Sequence, residues 1–362
     1  MPLKRKIFFT DRPSGDREKK NLLFLNLITD KKATSRTEIS KLTDVNVVSV
    51  SNYINSYLKK GMVRERGYDV SSGGRRPELV ELNKDWGCVI GIEAGESYVK
   101  GIIADITMRI IKKEEKPAKT TLNPAEEISE MALNLIKAAG PDKGRVKKIG
   151  VCLSGLNKID EDASYAIKEE IENKSRIQAL LGSGALAAGF GEARLNPEAR
   201  GIKDILYVYK DTGEAVFIKG DEFYGTSDEK TEYRYLRPWG EGMSISGAAR
   251  KSGKFKNAAF DAIIEAAISE NETASDIIKN SGTNLGVRVA YLINFFEPRL
   301  IAIGGGIEKA GGLFLDPLEA MARRCVSHRL SDNMRIVPGS LGEEACVKGA
   351  ASLAIRETFI EA

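Results

Sequence analysis

Two segments of the sequence, about 115 residues apart, share one strand–turn–strand pattern. VIGIEAGESYVKGIIADI begins at Val89, and ILYVYKDTGEAVFIKGDEF begins at Ile205. Each segment has an apolar run, a polar turn that contains glycine, and a second apolar run, which is typical of paired strands. A supersecondary unit that recurs in this way predicts two related lobes.

Helical patterns separate these segments from other strand-like runs. The helical patterns read AEEISEMALNLIKAA, FKNAAFDAIIEAAI, NLGVRVAYLINFF and LDPLEAMARRC. The strand-like runs IGVCLSG and RLIAIGGGIE alternate with them. Strands that alternate with helices predict an α/β fold in which helices cover the sheets.

The first 85 residues differ, because three helical patterns follow one another there. The first pattern is REKKNLLFLNLIT. Ser35 followed by Glu38 forms a capping box, which predicts the start of a second helix. Asn46 is a favourable N-cap and Gly61 a favourable residue just beyond a helix, so they bound the third. Two helices joined by a tight turn are typical of a helix-turn-helix.

The third helix has an apolar face and a neutral face. The apolar stripe consists of Val50, Ile54, Tyr57 and Leu58. The outward positions are Val47, Val48, Ser51, Asn52 and Asn55. Positions 46–56 carry no charge, although a solvated helix face normally has Lys and Glu. This indicates that something covers the outward face, either DNA or, as the alternative, another protein element in a helical packing module.

These side chains suit the major groove. Asn pairs with adenine, Ser bonds to phosphates or bases, and the methyl groups of Val contact those of thymine. The predicted DNA-binding residues are Ser35, Asn46, Val47, Val48, Ser49, Ser51 and Asn52.

The segment MVRERGYDVSSGGRRPELVELN predicts two short strands around a Ser/Gly-rich turn, the wing of a winged helix. Arg75 and Arg76 follow the glycines near its tip, where they are expected to contact phosphates or a narrow minor groove. A basic interdomain linker is the alternative.

Charge and composition narrow the class of protein. The net charge is +4, but residues 1–85 hold 18 Lys and Arg against 11 Asp and Glu, a net of +7. A basic first quarter favours a polyanion-binding module, with a solvated basic surface as the alternative.

No apolar run approaches the roughly 18–20 residues that span a bilayer, so no membrane partner is expected. The four cysteines are far apart and form no CxxC, which favours a reducing cytoplasm.

Several segments resemble the ROK family of repressors, open reading frames and kinases. They are GRRPELVELNKDWGCVIGIEAG, IGVCLSG, NFFEPRLIAIGGGIEKAGGLFLDPLEAM and GSLGEEACVKGAASLAI. The resemblance implies a winged helix-turn-helix followed by an actin-like (ribonuclease H-like), two-lobed sugar kinase fold. It also implies dimers or tetramers formed through the body. The expected domains are residues 1–85 and 86–362, with lobe I at about 86–203, lobe II at about 204–340 and a C-terminal helix at 342–358 returning to lobe I.

The stretch GSGALAAGFGEA at residues 182–193 replaces the catalytic segment of the family's kinases. Aligning the Glu that ends their helix with Glu192 puts Ser183, Gly184, Ala185 and Leu186 on their Asn-Asp-Ala-Asn. The aspartate is the general base of these kinases, and such a base typically contributes about 10²–10⁴-fold. Gly184 cannot act as a base, and residues 182–191 hold no carboxylate. We therefore expect no catalytic residues and no enzyme activity.

Other kinase motifs are altered as well. The Asp-x-Gly-Gly-Thr phosphate turn of the family reads Glu93-Ala94-Gly95-Glu96-Ser97, and the second phosphate turn reads KDTGEAV. The Gly-Glu-x-Gly-His sugar motif reads TEYRY from residue 231, which keeps only Glu232. A zinc loop is missing from the sequence and His328 is the single histidine, so no metal or cofactor is expected. The candidate ligand-binding residues are Glu232, Tyr235 and Ser183.

These observations predict a DNA-binding transcriptional regulator, a repressor that binds an inverted-repeat operator as a dimer. A sugar or sugar derivative is the candidate effector. The alternatives are an active ATP-dependent sugar kinase and a protein–protein scaffold whose winged helix does not bind DNA.

Overall fold

The computed structural model describes residues 7–10, 12–68, 77–95, 97–118, 123–140, 145–154, 161–210, 214–224, 244–255 and 258–362. The chain divides into two compact units. Unit 1 comprises Met1–Gly182 and Ala350–Ala362, and unit 2 comprises Ser183–Gly349.

The N-terminal part of unit 1 is a three-helix module with a small sheet. Its helices are α1 (Asp16–Lys31), α2 (Arg36–Thr43) and α3 (Val47–Lys59). Its strands are β1 (Thr34–Ser35), β2 (Val63–Tyr68) and β3 (Glu78–Leu82), arranged β1-β3-β2 with antiparallel pairs. Helices α2 and α3 and the paired strands β2 and β3 occur where the sequence predicted the helix-turn-helix and the wing, whereas the tip with Arg75 and Arg76 lies outside the described residues.

The remainder of unit 1 is built on a five-stranded sheet. Its strands are β4 (Cys88–Ala94), β5 (Tyr98–Asp105), β6 (Ile110–Pro117), β7 (Val146–Leu153) and β8 (Ala179–Ser183), the last residue of which begins unit 2. Helices α4 (Pro124–Ala138) and α5 (Glu161–Ser175) belong to this part of the chain. The apolar face of α4 packs on β4, β5 and β7 in one buried cluster.

Unit 2 contains a second five-stranded sheet and most of the remaining helices. Its strands are β9 (Asp204–Tyr209), β10 (Glu214–Lys219), β11 (Glu222–Tyr224), β12 (Leu300–Gly304) and β13 (Arg335–Pro338). Its helices are α6 (Gly184–Leu195), α7 (Ile245–Ser252), α8 (Phe260–Ile268), α9 (Glu272–Phe296), α10 (Gly312–Cys325) and α11 (His328–Ser331). Helix α12 (Ala345–Ile360) begins in unit 2 and ends in unit 1.

The two large sheets have the same topology. Their strand orders are β6-β5-β4-β7-β8 and β11-β10-β9-β12-β13, so each follows the order third, second, first, fourth, fifth. In each sheet the first strand pairs antiparallel with the second and parallel with the fourth. The internal repeat predicted from the sequence is therefore a repeat of a whole sheet.

Two helices differ in extent from their sequence patterns. Helix α8 begins at Phe260 rather than Phe255, because Ala259 has an extended backbone and is the N-cap. Helix α9 begins at Glu272, capped by Asn271, well before the segment NLGVRVAYLINFF.

Helix α6, expected in the first lobe, groups with unit 2. The reason is its packing on β9. A Cβ atom on Gly189 of α6 would lie 3.0 Å from the Cβ of Tyr207.

Candidate nucleic-acid interface and the glycine turns of the body

Helix α3 begins and ends at the residues that the sequence indicated. The side chain of Asn46 accepts a hydrogen bond from the Ser49 N–H at 2.7 Å, which caps the first turn. Asp44, between α2 and α3, has φ 56°, the left-handed conformation that reverses the chain. Gly61, with φ 73°, follows the last turn.

The outer face of α3 is exposed and neutral. Val47 and Val48 are 42% and 67% exposed, and Asn46, Asn52 and Asn55 are exposed as well. Adjacent exposed apolar side chains can form a patch that another molecule covers. Ser49 and Ser51 are half-buried, and the Ser51 hydroxyl donates to the Val47 carbonyl at 2.7 Å.

The opposite face of α3 fixes the helix in the module. Val50, Ile54 and Tyr57 are fully buried. The ring of Tyr53 meets Phe24 of α1 edge to face, with 5.3 Å between the ring centroids. The face of α3 opposite the exposed one is therefore packed within the module.

Ser35 is placed differently from the other predicted contacts. Its hydroxyl accepts from the Glu38 N–H at 3.2 Å as the N-cap of α2, and only 5% of the residue is exposed. Glu38 bonds to the Thr34 hydroxyl at 2.8 Å, and this bond is the main reason why its pKa is lowered. Ser35 thus shapes the turn that precedes the interface.

Arg36 is a candidate contact that the sequence patterns did not indicate. Its guanidinium donates to Asn55 Oδ1 on α3 at 3.3 Å and to Glu78 on β3 at 2.8 Å. It thereby joins α2, α3 and the wing at the edge of the exposed face. Arg64 and Arg66 of β2 are half-exposed and pair with Glu81. A positive residue directly after an N-cap was the only signal in the sequence.

The glycine turn of unit 1 is filled by its own tyrosine. A Cβ atom on Gly95 would lie 2.7 Å from the Tyr98 ring, so the ring lies directly against the turn. The Gly95 N–H donates to the Tyr98 carbonyl at 2.9 Å. The Tyr98 hydroxyl donates to Glu93 Oε1 at 2.8 Å, as does Ser154. The turn amide is therefore bonded within the protein.

The glycine turn of unit 2 is also occupied by protein groups. The Gly306 N–H donates to Glu308 Oε2 at 2.8 Å. A Cβ atom on Gly305 would lie 2.8 Å from the Tyr209 ring. Burial raises the pKa of the Glu308 carboxyl, even though the bond from Gly306 opposes this effect. The Gly306 amide is therefore bonded within the protein.

The stretch at residues 182–193 is a close-packed helix with one anchoring carboxylate. The Ser183 hydroxyl accepts from the Leu186 N–H at 3.1 Å and caps α6, so this candidate ligand contact is engaged in capping. Glu192 is 1% exposed and accepts from the Leu341 N–H at 2.8 Å and from Ser340 Oγ at 3.1 Å. It ties α6 to the segment before α12.

The other candidate ligand residues, Glu232 and Tyr235, lie outside the described residues, as does the turn at 211–213. Within the described ranges, no group of three or more His, Cys, Asp or Glu is placed to hold a metal ion. Within the same ranges, no helix is both long enough and apolar enough to cross a membrane.

The geometry is typical of one class of protein. Proteins of this class have a winged helix-turn-helix, here with a neutral exposed helix, followed by an actin-like body in which two sheets have the same topology. Residues 241–357 match the model of the ROK family. The chain is 25% identical over 382 residues to the putative xylose repressor of Caldicellulosiruptor sp. (strain Rt8B.4), covering 93% of this chain and 95% of that protein. It is 25% identical to the xylose repressor of Bacillus subtilis (strain 168), covering 92% and 94% of the two chains.

Solved structures show the same fold. A ROK family transcriptional regulator, a homolog of the E. coli MLC protein, superposes with a TM-score of 0.76 at 16% identity, covering 95% of this chain and 98% of that chain. A ROK family glucokinase from Streptomyces griseus has a TM-score of 0.57 at 22% identity, covering 74% of this chain and 99% of that chain. Residues 241–357 of this chain are therefore similar to the ROK family, and most of the chain is similar to the two repressors.

Proposed function

We propose that the protein is a DNA-binding transcriptional regulator, a repressor, and that its body senses a ligand without catalysing a reaction. The observation that carries the proposal is that one face of α3 is exposed and neutral while the opposite face is fully buried. A face of Val and Asn side chains matches the base edges of the major groove. The names of the two xylose repressors support the same function. A cytoplasmic location follows from this role.

Val47, Val48 and Asn52 face the bases in this arrangement, and Arg36 lies at the edge of the face. Arg75 and Arg76 remain proposed contacts to the phosphates or the minor groove. Phosphate contacts supply affinity that falls steeply with salt, whereas base contacts supply sequence preference.

The two glycine turns support a body without kinase activity. In phosphate-binding turns, free backbone N–H groups point at the anion. Here the Gly95 N–H bonds to the Tyr98 carbonyl and the Gly306 N–H bonds to the Glu308 carboxylate. Residues 182–191 also hold no carboxylate that could serve as a general base. A coupled assay of ADP release with ATP and xylose, glucose or N-acetylglucosamine should show no turnover, and sustained turnover would establish the kinase instead.

We propose that a homodimer forms through the α9 stripe, a face of α9 whose residues are exposed or half-buried. The stripe consists of Asn284, Val287, Arg288, Tyr291, Asn294 and Phe295. These positions recur three and four residues apart, so they lie on one face of the helix. Tyr291 and Phe295 are 60% and 72% exposed, and Arg288 is the one charged residue of the stripe. Aromatic residues and Arg are enriched in protein interfaces, whereas Lys and Glu are depleted.

The stripe is complementary to a second copy of itself. An antiparallel copy related by a two-fold axis near Tyr291 brings Arg288 of each α9 against Phe295 of the other, a cation–π pair. Burial lowers the pKa of the Arg288 guanidinium, because desolvation disfavours its charged form. Dimers of helix-turn-helix proteins bind half-sites about 34–36 Å apart, so the proposed operator is an inverted repeat.

We propose a sugar or sugar derivative as the effector, with Glu232 and Tyr235 as its candidate contacts. The two relatives named xylose repressors make xylose the first compound to test. Binding should raise the unfolding temperature of the full chain and weaken its complex with DNA, because a ligand that prefers one state shifts the equilibrium towards that state.

One experiment tests the central proposal. The full chain selects duplexes from a random-sequence library, and the enriched sequences are then measured by fluorescence anisotropy against a scrambled duplex of the same composition. We expect an inverted repeat bound at least about 10³-fold more tightly than the scrambled duplex. Enrichment of no sequence would overturn the proposal and favour a scaffold.

A further inference from the structure

A buried polar network connects α3 to the last turn of α12, and to Ala362 just beyond it, through one residue, Asn21 of α1. The Tyr57 hydroxyl of α3 donates to Asn21 Oδ1 at 2.7 Å. The Asn21 amide donates to the main-chain oxygens of Ala362 and Ile360 at 2.8 and 3.2 Å. Asn21 is 1% exposed and Tyr57 is fully buried. Burial raises the pKa of Tyr57, so its hydroxyl remains a donor throughout the ordinary pH range.

The amide of Asn21 satisfies this network in only one orientation. Its NH2 group must face the two main-chain oxygens, because its carbonyl oxygen would repel them. The carbonyl oxygen then faces the Tyr57 hydroxyl and accepts its proton. All of these bonds therefore form together, and they depend on the relative positions of α1, α3 and the end of α12.

Packing alone does not explain an asparagine at this position. Leu22, Leu25 and Ile28 of α1 are buried, so an apolar side chain at position 21 would join an existing apolar face. A buried amide costs free energy unless it is fully bonded, whereas an apolar pair of the same shape is often neutral or stabilising. Such polar residues are retained in some proteins because they specify one arrangement of helices.

The end of α12 that receives these bonds is itself anchored. Glu357, fully buried, accepts from the Thr10 N–H at 2.7 Å and from the Thr10 hydroxyl at 3.1 Å. Arg356, 1% exposed, donates to the Thr10 carbonyl at 2.6 Å. Arg17 of α1 donates to the Ala362 main-chain oxygen at 3.3 Å. The last turn of α12 is thus a fixed reference point for α1 and, through Asn21, for α3.

We infer that Asn21 is a positioning residue that sets the orientation of the recognition helix α3 from the last turn of α12. The inference rests on the proposed function, because it concerns how α3 meets DNA. Base contacts need a geometry held to about 0.5 Å, whereas flexible Lys and Arg side chains reach phosphates over a wider range. Loss of Asn21 therefore lowers sequence preference and leaves general DNA affinity unchanged.

The test compares four variants of the full chain with the wild type. Tyr57→Phe removes only the bond to α3, and Asn21→Leu removes the whole connection. Asn21→Leu with Tyr57→Phe replaces both partners by apolar groups, which limits the loss of stability. Asn26→Leu is the control, because Asn26 is also on α1 but is half-buried. Each protein is measured by anisotropy on the duplex that the wild type selects and on its scrambled counterpart, well below its unfolding temperature.

We expect the preference for the selected duplex to fall at least tenfold in Asn21→Leu and in the double variant, and several-fold in Tyr57→Phe. Affinity for the scrambled duplex and the salt dependence should stay within about twofold of the wild type, and Asn26→Leu should keep the preference. If the double variant regains both the stability of the wild type and its preference for the selected duplex, the inference is overturned. Asn21 would then act only in folding. A wild type that selects no duplex would instead overturn the proposed function.

Discussion

The carbonyl oxygen of Ala187 lies where a side chain on Gly349 would begin. A Cβ atom on Gly349 would be 1.7 Å from this oxygen and 2.3 Å from its carbon, so α6 and the first turns of α12 pack backbone against backbone. Gly191, four residues after Ala187, approaches the same turns, with 3.0 Å from its Cβ position to the Ala345 carbonyl oxygen. The small residues of the 182–193 stretch therefore allow a close helix crossing.

Gly349→Ala should destabilise the protein by about 3 kcal/mol or more, because overpacking against a backbone group cannot be relieved by a rotamer change. The higher helix propensity of alanine offsets only about 1 kcal/mol. Urea unfolding followed by circular dichroism measures the difference.

The control is Gly15→Ala, since nothing lies within 4 Å of a Cβ atom there and φ is −123°. We expect this change to lower the free energy of unfolding by no more than about 1 kcal/mol, because Gly15 is the N-cap of α1 and alanine is a weaker cap than glycine. Equal stabilities of the two variants would show that α6 and α12 do not cross as described.

Asn52→Ala should relax sequence preference, because the variant loses an amide that can bond to one base pair. A good bidentate contact of this type is worth about 1–3 kcal/mol of discrimination. The measurement is the affinity for the selected duplex and for duplexes that carry single substitutions in each half-site.

Arg75→Ala is the contrasting variant. It should weaken binding to every duplex alike and reduce the slope of log affinity against log salt by about one. If neither variant changes binding to the selected duplex, α3 and the wing do not dock as proposed.

Tyr291→Glu combined with Phe295→Glu should convert the dimer to a monomer, because two carboxylates on each copy would be buried against each other. Light scattering coupled to size-exclusion chromatography gives the mass directly. Affinity for the inverted repeat should fall, while affinity for a single half-site should not change.

The control for this pair is Ile268→Glu on α8, a position that is 55% exposed and lies outside the α9 stripe. It should leave the mass unchanged. A wild-type monomer, or a double variant that remains a dimer, would show that a second copy does not cover the α9 stripe.

Glu308→Gln should change how stability depends on pH. The folded-state pKa of Glu308 is raised, mainly by burial, so its contribution to stability is complete below the usual value of 4.5 and is lost as pH rises through the folded-state pKa. The variant has no ionisable group at this position, so its stability relative to the wild type should increase between pH 4.5 and neutral pH.

Thermal unfolding of both proteins at a series of pH values checks this prediction. A constant difference between Glu308→Gln and the wild type across this range would contradict the burial of the carboxyl group.

Much of the local structure could be predicted from the sequence. The caps Ser35 and Asn46 start the helices that they were predicted to start, and Gly61 follows the end of α3. Strand β4 with β5 and strand β9 with β10 form the two expected pairs. These features depend on periodicity and on hydrogen bonds within about four residues, so a short stretch of sequence contains the information that determines them.

The sequence alone determined that residues 1–85 are basic and contain a helix with an uncharged outward face. It also determined that a strand–turn–strand unit recurs in the rest of the chain. Only the tertiary structure decided which groups fill the glycine turns and what holds the recognition helix. Tyr209 lies against Gly305, and Asn21 meets Tyr57 and Ala362, because folding brings these atoms within hydrogen-bond or van der Waals distance. Contacts between residues that are distant in sequence depend on how the elements pack, and no local pattern specifies that packing.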